Sequence, residues 1–388
     1  MESEKVTIDE IKKTTTENGT WQVFLRNRVA VASLAIIVIC FILAIFAYFI
    51  IPDQTPNANN QFPMIALKAP GFSSPSIKVV NLSKSDNKQG FFDKLINGKD
   101  LPYKLRVYQN LEYQDTGIML TNHYQRQEFI PYKDLYLELD SGSQKGITKT
   151  YVESRKDNFL NTERFYLGTD KFGRDILSRL ILGIRVSILV GLVAVAISLI
   201  VGILVGATSG YFGGKIDQLL MLLINVSWSI PTLLMVFAIV LAFDRGIYVI
   251  FIAVGLTMWV EVARIVRGQV RSIKEEQFVM AAKSMGFGHF KIIIQHILPN
   301  IVGPILVIAA ANFSTAVLVE AGLSYLGFGV EPPTPSIGNM LNEHYGYALT
   351  GKVFLATIPA ITIMILVLSF NLVGSGLRDA FDVKRQDS

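Results

Sequence analysis

Residues 184–208 read Ile-Arg-Val-Ser-Ile-Leu-Val-Gly-Leu-Val-Ala-Val-Ala-Ile-Ser-Leu-Ile-Val-Gly-Ile-Leu-Val-Gly-Ala-Thr. Arg185, near the start, is the only charge in the run. A hydrocarbon core of ~30 Å needs roughly 20 apolar residues of helix, and this stretch supplies them. Ser198, Gly202, Gly206, Gly210 and Gly214 recur at every fourth position. That spacing puts them on one helix face, where small residues let a second helix approach closely. The face serves as a fixed packing seam or as a gate contact that moves; the two are compatible.

Five further runs share this character, at about Val29–Ile51, Ile216–Phe243, Ile247–Val266, Ile301–Val319 and Val353–Ser375. Apolar residues make up 51% of the 388 and charged residues 17%, which departs from ordinary soluble domains. The reading is an all-α polytopic membrane protein with six transmembrane helices. Charge at a helix centre costs about 2.5–3.5 kcal/mol on insertion scales, and these runs carry almost none. Glu261 and Arg264, three apart, are placed to pair. The first run, 29–51, follows a polar tail at 1–28 and is long enough for an anchor rather than a cleaved leader. The lone cysteine, Cys40, lies inside it and reads as a small buried residue.

Lys and Arg placement sets the orientation. Lys5, Lys12, Lys13, Arg26 and Arg28 precede the first span; Arg267, Arg271, Lys274, Lys283 and Lys291 fall between the fourth and fifth; Arg378, Lys384 and Arg385 follow the last. Both termini (1–28 and 376–388) and the loop 267–300 are therefore expected in the cytoplasm. The long segment 52–165 is expected outside. The net charge of +5 is too modest to suggest nucleic acid; lipid is the expected surroundings.

The outer segment is aromatic-rich and nearly neutral, which predicts partial folding rather than disorder. Leu135, Leu137 and Leu139 alternate with polar neighbours, a turn follows at Asp140–Ser143, and 147–152 is β-prone. That pattern predicts a hairpin, hence a mixed, partly β extracytosolic insertion. It reads as a small outer cap, or as an insertion that packs on a neighbour.

In the cytoplasmic loop, Phe278, Ala281, Ala282 and Met285 stand at i, i+3, i+4 and i+7, the mark of one helix face. Glu275 and Glu276 suit its N-terminus, and Gly286 suits a left-handed end. A second helix is expected over 289–297, with Leu298-Pro299-Asn300 leading into the fifth span. A thin apolar helix here fits a partner's groove or lies among lipid headgroups.

Ala281-Ala282, Gly286 and Leu298-Pro299 resemble the "EAA" signature of permease subunits of binding-protein-dependent ABC importers. Met280 departs from that signature, standing where its glutamate would be, and His296 stands near its isoleucine; Glu276 is a nearby substitute carboxylate. Two more stretches narrow the likeness. Leu167-Gly168-Thr169-Asp170, Phe172-Gly173-Arg174-Asp175 and Ser178-Arg179-Leu180 resemble the segment before the second span of peptide permeases. Glu320-Ala321-Gly322-Leu323-Ser324-Tyr325-Leu326-Gly327-Phe328-Gly329, followed by Pro332-Pro333-Thr334-Pro335-Ser336, is similar to the outer loop of the dipeptide/oligopeptide/nickel permease family, C-type subunit. The likeness covers 165–382 strongly and the first span loosely.

The resemblance implies a type I ABC importer fold, with a permease core at 166–375. It implies a homologous second permease, two ATPase subunits and an extracytosolic binding protein in the cytoplasmic membrane of a bacterium. Peptides are the first expected substrate, then nickel or another small solute. The loop around Glu276, Phe278, Ala281, Ala282, Met285, Gly286, Leu298 and Pro299 would couple to the ATPases. Asp170, Gly173, Arg174, Asp175 and Arg179 would form an anchoring helix start, an outer gate or a docking element. Gly202, Gly206, Gly210 and Glu320 would serve packing or gating, with Glu320 either paired structurally or touching substrate. No metal or catalytic residues are expected. Gly213-Gly214-Lys215 lacks the Ser or Thr a phosphate loop needs for magnesium, so ATP and Mg would be used by partner chains. The rival classes are a stand-alone secondary transporter and a membrane enzyme. The first is disfavoured by span centres without proton-relay groups, the second by four scattered histidines.

Overall fold

The computed structural model describes residues 20–81, 89–136, 149–243 and 246–386. A short helix, α1 (Thr20–Arg26), leads into the first span, α2 (Arg28–Ile45), whose start is capped by the Asn27 side chain accepting from the Ala30 N–H at 3.1 Å. Ahead of the expected core at 166–375 lies the segment expected outside, with strands β1 (Phe72–Val80), β2 (Tyr103–Val107), β3 (Asn110–Tyr113), β4 (Gly117–Thr121), β5 (Gln127–Pro131) and β6 (Leu160–Phe165). They form two three-stranded antiparallel sheets, ordered β2-β1-β6 and β3-β4-β5. Alternate residues point inward, so Ile77, Ile118, Leu120, Ile130, Leu135, Val152 and Phe159 share one apolar core.

The predicted hairpin differs. Leu135 does meet Val79 across an isolated bridge, but 149–154 form a helix, Lys149–Ser154; residues 137–148 lie outside those described. The segment is partly β as expected, through other strands. Val152 and Phe159 fill the sheet core from helical turns, which the β propensity of 147–152 could not foretell.

The core follows with α3 (Ile176–Phe212), α4 (Gly214–Trp228), α5 (Thr232–Ala242), α6 (Ile247–Ile273), α7 (Gln277–Ser284), α8 (Val302–Tyr325), α9 (Ile337–Ala348) and α10 (Phe354–Gln386). Five helical stretches are each long and apolar enough to cross a membrane. The sixth expected span, 216–243, is broken: α4 and α5 meet at 85°. Pro231 is the cause, because a proline disfavours helical backbone in the residue before it. The opposite occurs before the fifth span. Instead of a link at Leu298-Pro299-Asn300, the chain stays helical through His289–Lys291, a π turn at Ile292–Ile297 and a 3-10 turn at Leu298–Ile301. Pro299 sits in the first turn of that tighter stretch, where its missing N–H leaves little unsatisfied. Residues 376–386, expected as a tail, continue α10.

The small-residue stripe is a packing seam between α3 and α6. A Cβ on Gly202 would stand 2.4 Å from the Val262 Cβ, on Gly206 2.5 Å from the Ala263 carbonyl oxygen, and on Gly210 2.7 Å from that of Arg267. Gly214 does not belong to the seam; it is the first residue of α4, with nothing near its missing Cβ. Arg267 on α6 clasps Asp217 of α4 with two bonds of 2.6 and 2.7 Å, fixing α4 at that end.

Candidate functional site

The loop expected to couple to a motor folds as α7, entered from an extended Glu276 (ψ 147) and ended by Gly286 in the left-handed region (φ 78). After it, the Phe287 N–H returns to the Ala282 carbonyl at 3.2 Å, the closure a glycine permits at a helix end. Val279 and Ala282 are buried, at 0% and 1% exposure, and pack with Val270, Ile273, Ile292 and Ile297. The single apolar face expected from Phe278, Ala281, Ala282 and Met285 is thus divided. Ala282 turns into the chain's own core, while Phe278, Ala281 and Met285 face outward together with Met280. Val279, absent from the expected set, is the second anchor, three residues before Ala282. Phe290 stands exposed nearby in sequence. Leu298 packs partly against the same core and Pro299 is exposed. The Tyr211 hydroxyl, at the end of α3, bonds His289 Nδ1 at 2.9 Å and ties the loop to the seam helix.

The outer residues converge on a buried charge network. Asp170 accepts from the Phe172 and Arg174 N–H groups at 2.8 and 2.9 Å and from Arg174 Nε at 2.6 Å. Arg174 reaches Glu343 of α9 at 2.8 Å, and Arg179 lies 3.9 Å from Asp170. A guanidinium shared by two carboxylates offsets the cost of removing all three charges from water. Asp175 caps α3 by accepting from the Ser178 N–H at 2.8 Å, and burial pushes its carboxyl above the ordinary range. Gly173 is required twice over: its φ is +75, and a Cβ there would stand 1.9 Å from the Phe62 carbonyl oxygen. The loop is thereby clamped to residues 62–68, which add the bonds Phe62 N–H to Phe172 O (3.1 Å), Leu67 N–H to Asp170 O (3.0 Å) and Lys68 N–H to Thr169 Oγ1 (2.9 Å).

Glu343 and His344 were not visible in the sequence as partners, because 169 residues separate Arg174 from Glu343. Asp170, Glu343 and His344 bring possible ligand atoms within 4.8 Å of one another. Arg174 bonds both carboxylates, so the positive charge a metal would contribute is already in place.

Glu320 of α8 is fully buried and accepts from Ser187 at 3.0 Å and Ser324 at 2.8 Å. It joins α3 to α8 through hydroxyls. Glu261 and Arg264 do not pair. Arg264 stacks 3.7 Å from the Trp228 ring centre and donates to Asn225 at 2.9 Å.

Residues 180–386 match the family of binding-protein-dependent transport system inner membrane components, and residues 18–70 match the N-terminal transmembrane domain of oligopeptide transport permease C. The chain is similar to the oligopeptide transport system permease protein OppC of Bacillus subtilis (39% identical over 58% of this chain and 76% of that protein). It is also similar to the dipeptide transport system permease protein DppC of Lactococcus lactis, at 30% identity over 95% of this chain and 90% of the relative. That second alignment runs through the outer segment, so the long insertion is shared with at least one relative. Among solved structures, the MetNI methionine ABC transporter in inward-facing conformations is similar over 53% of this chain and 96% of that one, with 17% identity and a TM-score of 0.43. The chain therefore belongs to the family of inner membrane components of binding-protein-dependent transport systems.

Proposed function

We propose that this chain is one of two permease subunits of an ABC importer that carries peptides, di- or oligopeptides, across the cytoplasmic membrane. Its partners are a homologous permease, two ATPase subunits that bind and hydrolyse ATP with Mg, and an extracytosolic binding protein. The chain performs no covalent chemistry. Both termini and α7 lie in the cytoplasm, a placement supported by the Lys and Arg distribution.

The observation that carries this reading is α7. Its buried edge anchors it to the core through Val279 and Ala282, while Phe278, Ala281 and Met285 are left uncovered. An exposed apolar ridge on a rigidly seated short helix suits a groove on a motor subunit. ATP binding favours one arrangement of the motor pair and shifts the permeases toward the matching opening. The peptide assignment is supported by the full-length likeness to DppC. Pull-down of the chain from detergent, followed by an ATPase assay, tests the proposal. A nucleotide-binding subunit co-purifies with peptide-stimulated activity; a chain that transports alone would sink it.

A further inference from the structure

Glu261 lies in the transmembrane helix α6, and no hydrogen bond or ion pair joins it to a described residue. A charged group inside a span is costly unless it meets a partner or serves a pathway. Its expected partner, Arg264, is held elsewhere by Trp228 and Asn225. Glu261 instead stands on the wall of a cavity of about 250 Å³ at the break between α4 and α5. Ser227, Thr232, Thr257 and Thr315 share that wall. Thr257 and Thr315 donate their hydroxyl protons to the Val254 and Ala311 carbonyls, at 2.9 and 3.1 Å. Their oxygens are therefore left as acceptors. The lining offers one carboxyl group and the hydroxyls of Ser227, Thr232, Thr257 and Thr315, and no described His or Cys joins it. In secondary transporters, broken membrane helices that open onto a polar cavity hold cargo, and the break between α4 and α5 has that form.

We propose that Glu261 contacts the α-ammonium group of the peptide in transit and so helps determine specificity for a free amino terminus. An α-ammonium carries three donors and one positive charge. It can bond a carboxylate and hydroxyl oxygens, whereas an N-acylated terminus lacks the charge and keeps a single amide N–H donor. Arg264 does not pair with Glu261 internally, since its guanidinium is stacked on Trp228 and bonded to Asn225. This inference rests on the peptide-import reading above.

The test uses the assembled transporter in proteoliposomes, with ATP and the binding protein saturated by a tripeptide bearing either a free or an acetylated amino terminus. Glu261→Gln is expected to lower import of the free-amino peptide about tenfold, the scale of one charge-assisted hydrogen bond. Import of the acetylated peptide and subunit assembly stay unchanged, and Glu261→Asp restores most of the loss. An equal loss for both peptides, or no loss, overturns the contact. A wild type that imports only the free-amino peptide leaves the decision to the rescue, and failure of Glu261→Asp then overturns it. A wild type that imports neither peptide brings down the peptide reading itself, a result distinct from an unaltered variant of an active importer.

Discussion

His344 is 1% exposed on α9, and neither ring nitrogen has a hydrogen-bond partner. Burial is the largest influence on it and pushes its pKa below the ordinary value; Asp170 and Glu343 oppose that push, while Arg174 and Lys171 reinforce it. The unfolded chain takes up this proton near pH 6.5, and the folded chain resists it. Stability from this site is therefore present above about pH 6.5 and is lost as pH falls toward the depressed folded value. The detergent-solubilised complex should melt at a lower temperature at about pH 5.5 than at about pH 7.5. His344→Leu should flatten that slope. His123, also pushed down by burial and by Lys68, adds a slope of the same sign, so the readout is the difference between wild type and variant. An identical slope in both would show that His344 titrates freely. The sequence exposed half of this network: Asp170, Arg174 and Arg179 were legible as a charged cluster. Glu343 and His344 were not, since only the packing of α9 beside the start of α3 brings them there.

Among the elements, α7 shows what periodicity can and cannot reveal. Spacing of apolar residues identified a short helix between Glu276 and Gly286, and the helix is there. The rotation of that helix was not legible, because apolar residues occupy both its sides and the alanines fit either. Burial resolves it: Ala281 faces out and Ala282 faces in. Adjacent substitutions should therefore fail for different reasons. Ala281→Glu should leave the purified permease as thermally stable as wild type while abolishing retention of the ATPase subunit. Ala282→Glu would bury an unpaired charge against Ile292 and Ile297, at a cost of several kcal/mol. It should lower the melting temperature of the permease before any partner is added. Thermal melts of the isolated subunit, set beside co-purification of the ATPase, separate the two; matching behaviour would refute the assigned rotation. The bend between α4 and α5 was missed for a related reason. The run 216–243 is apolar throughout, and Pro231 within it is a residue that membrane helices often tolerate.

Over the whole molecule, the outer segment and the permease core prove to be mechanically joined rather than appended. Removing residues 57–158 would delete 62–68, the partners of the Asp170 loop, together with β1, the only strand paired to β6 among those described. The start of α3 would lose its clamp, so that deletion tests folding instead of transport. The strand register offers a cleaner cut. Ile77 pairs with Leu160 and Phe72 with Phe165, so β1 and β6 already run antiparallel as neighbours. Replacing residues 80–157 with Asn-Gly would join them through a two-residue hairpin turn, the connection such strands favour. The shortened chain should assemble with its ATPases at wild-type yield, because residues 62–68 and the Arg174 network remain. If the removed portion helps seat the binding protein, uptake should fall about tenfold through weaker docking. Affinity of the binding protein for the complex, measured by surface titration, should fall in parallel. Normal uptake with normal affinity would mark the removed portion as packing alone. Loss of assembly would show instead that the core of Ile118, Leu120 and Ile130 against Ile77 and Phe159 is needed to hold the clamp, and would move the coupling between the two parts from the loop to the sheets.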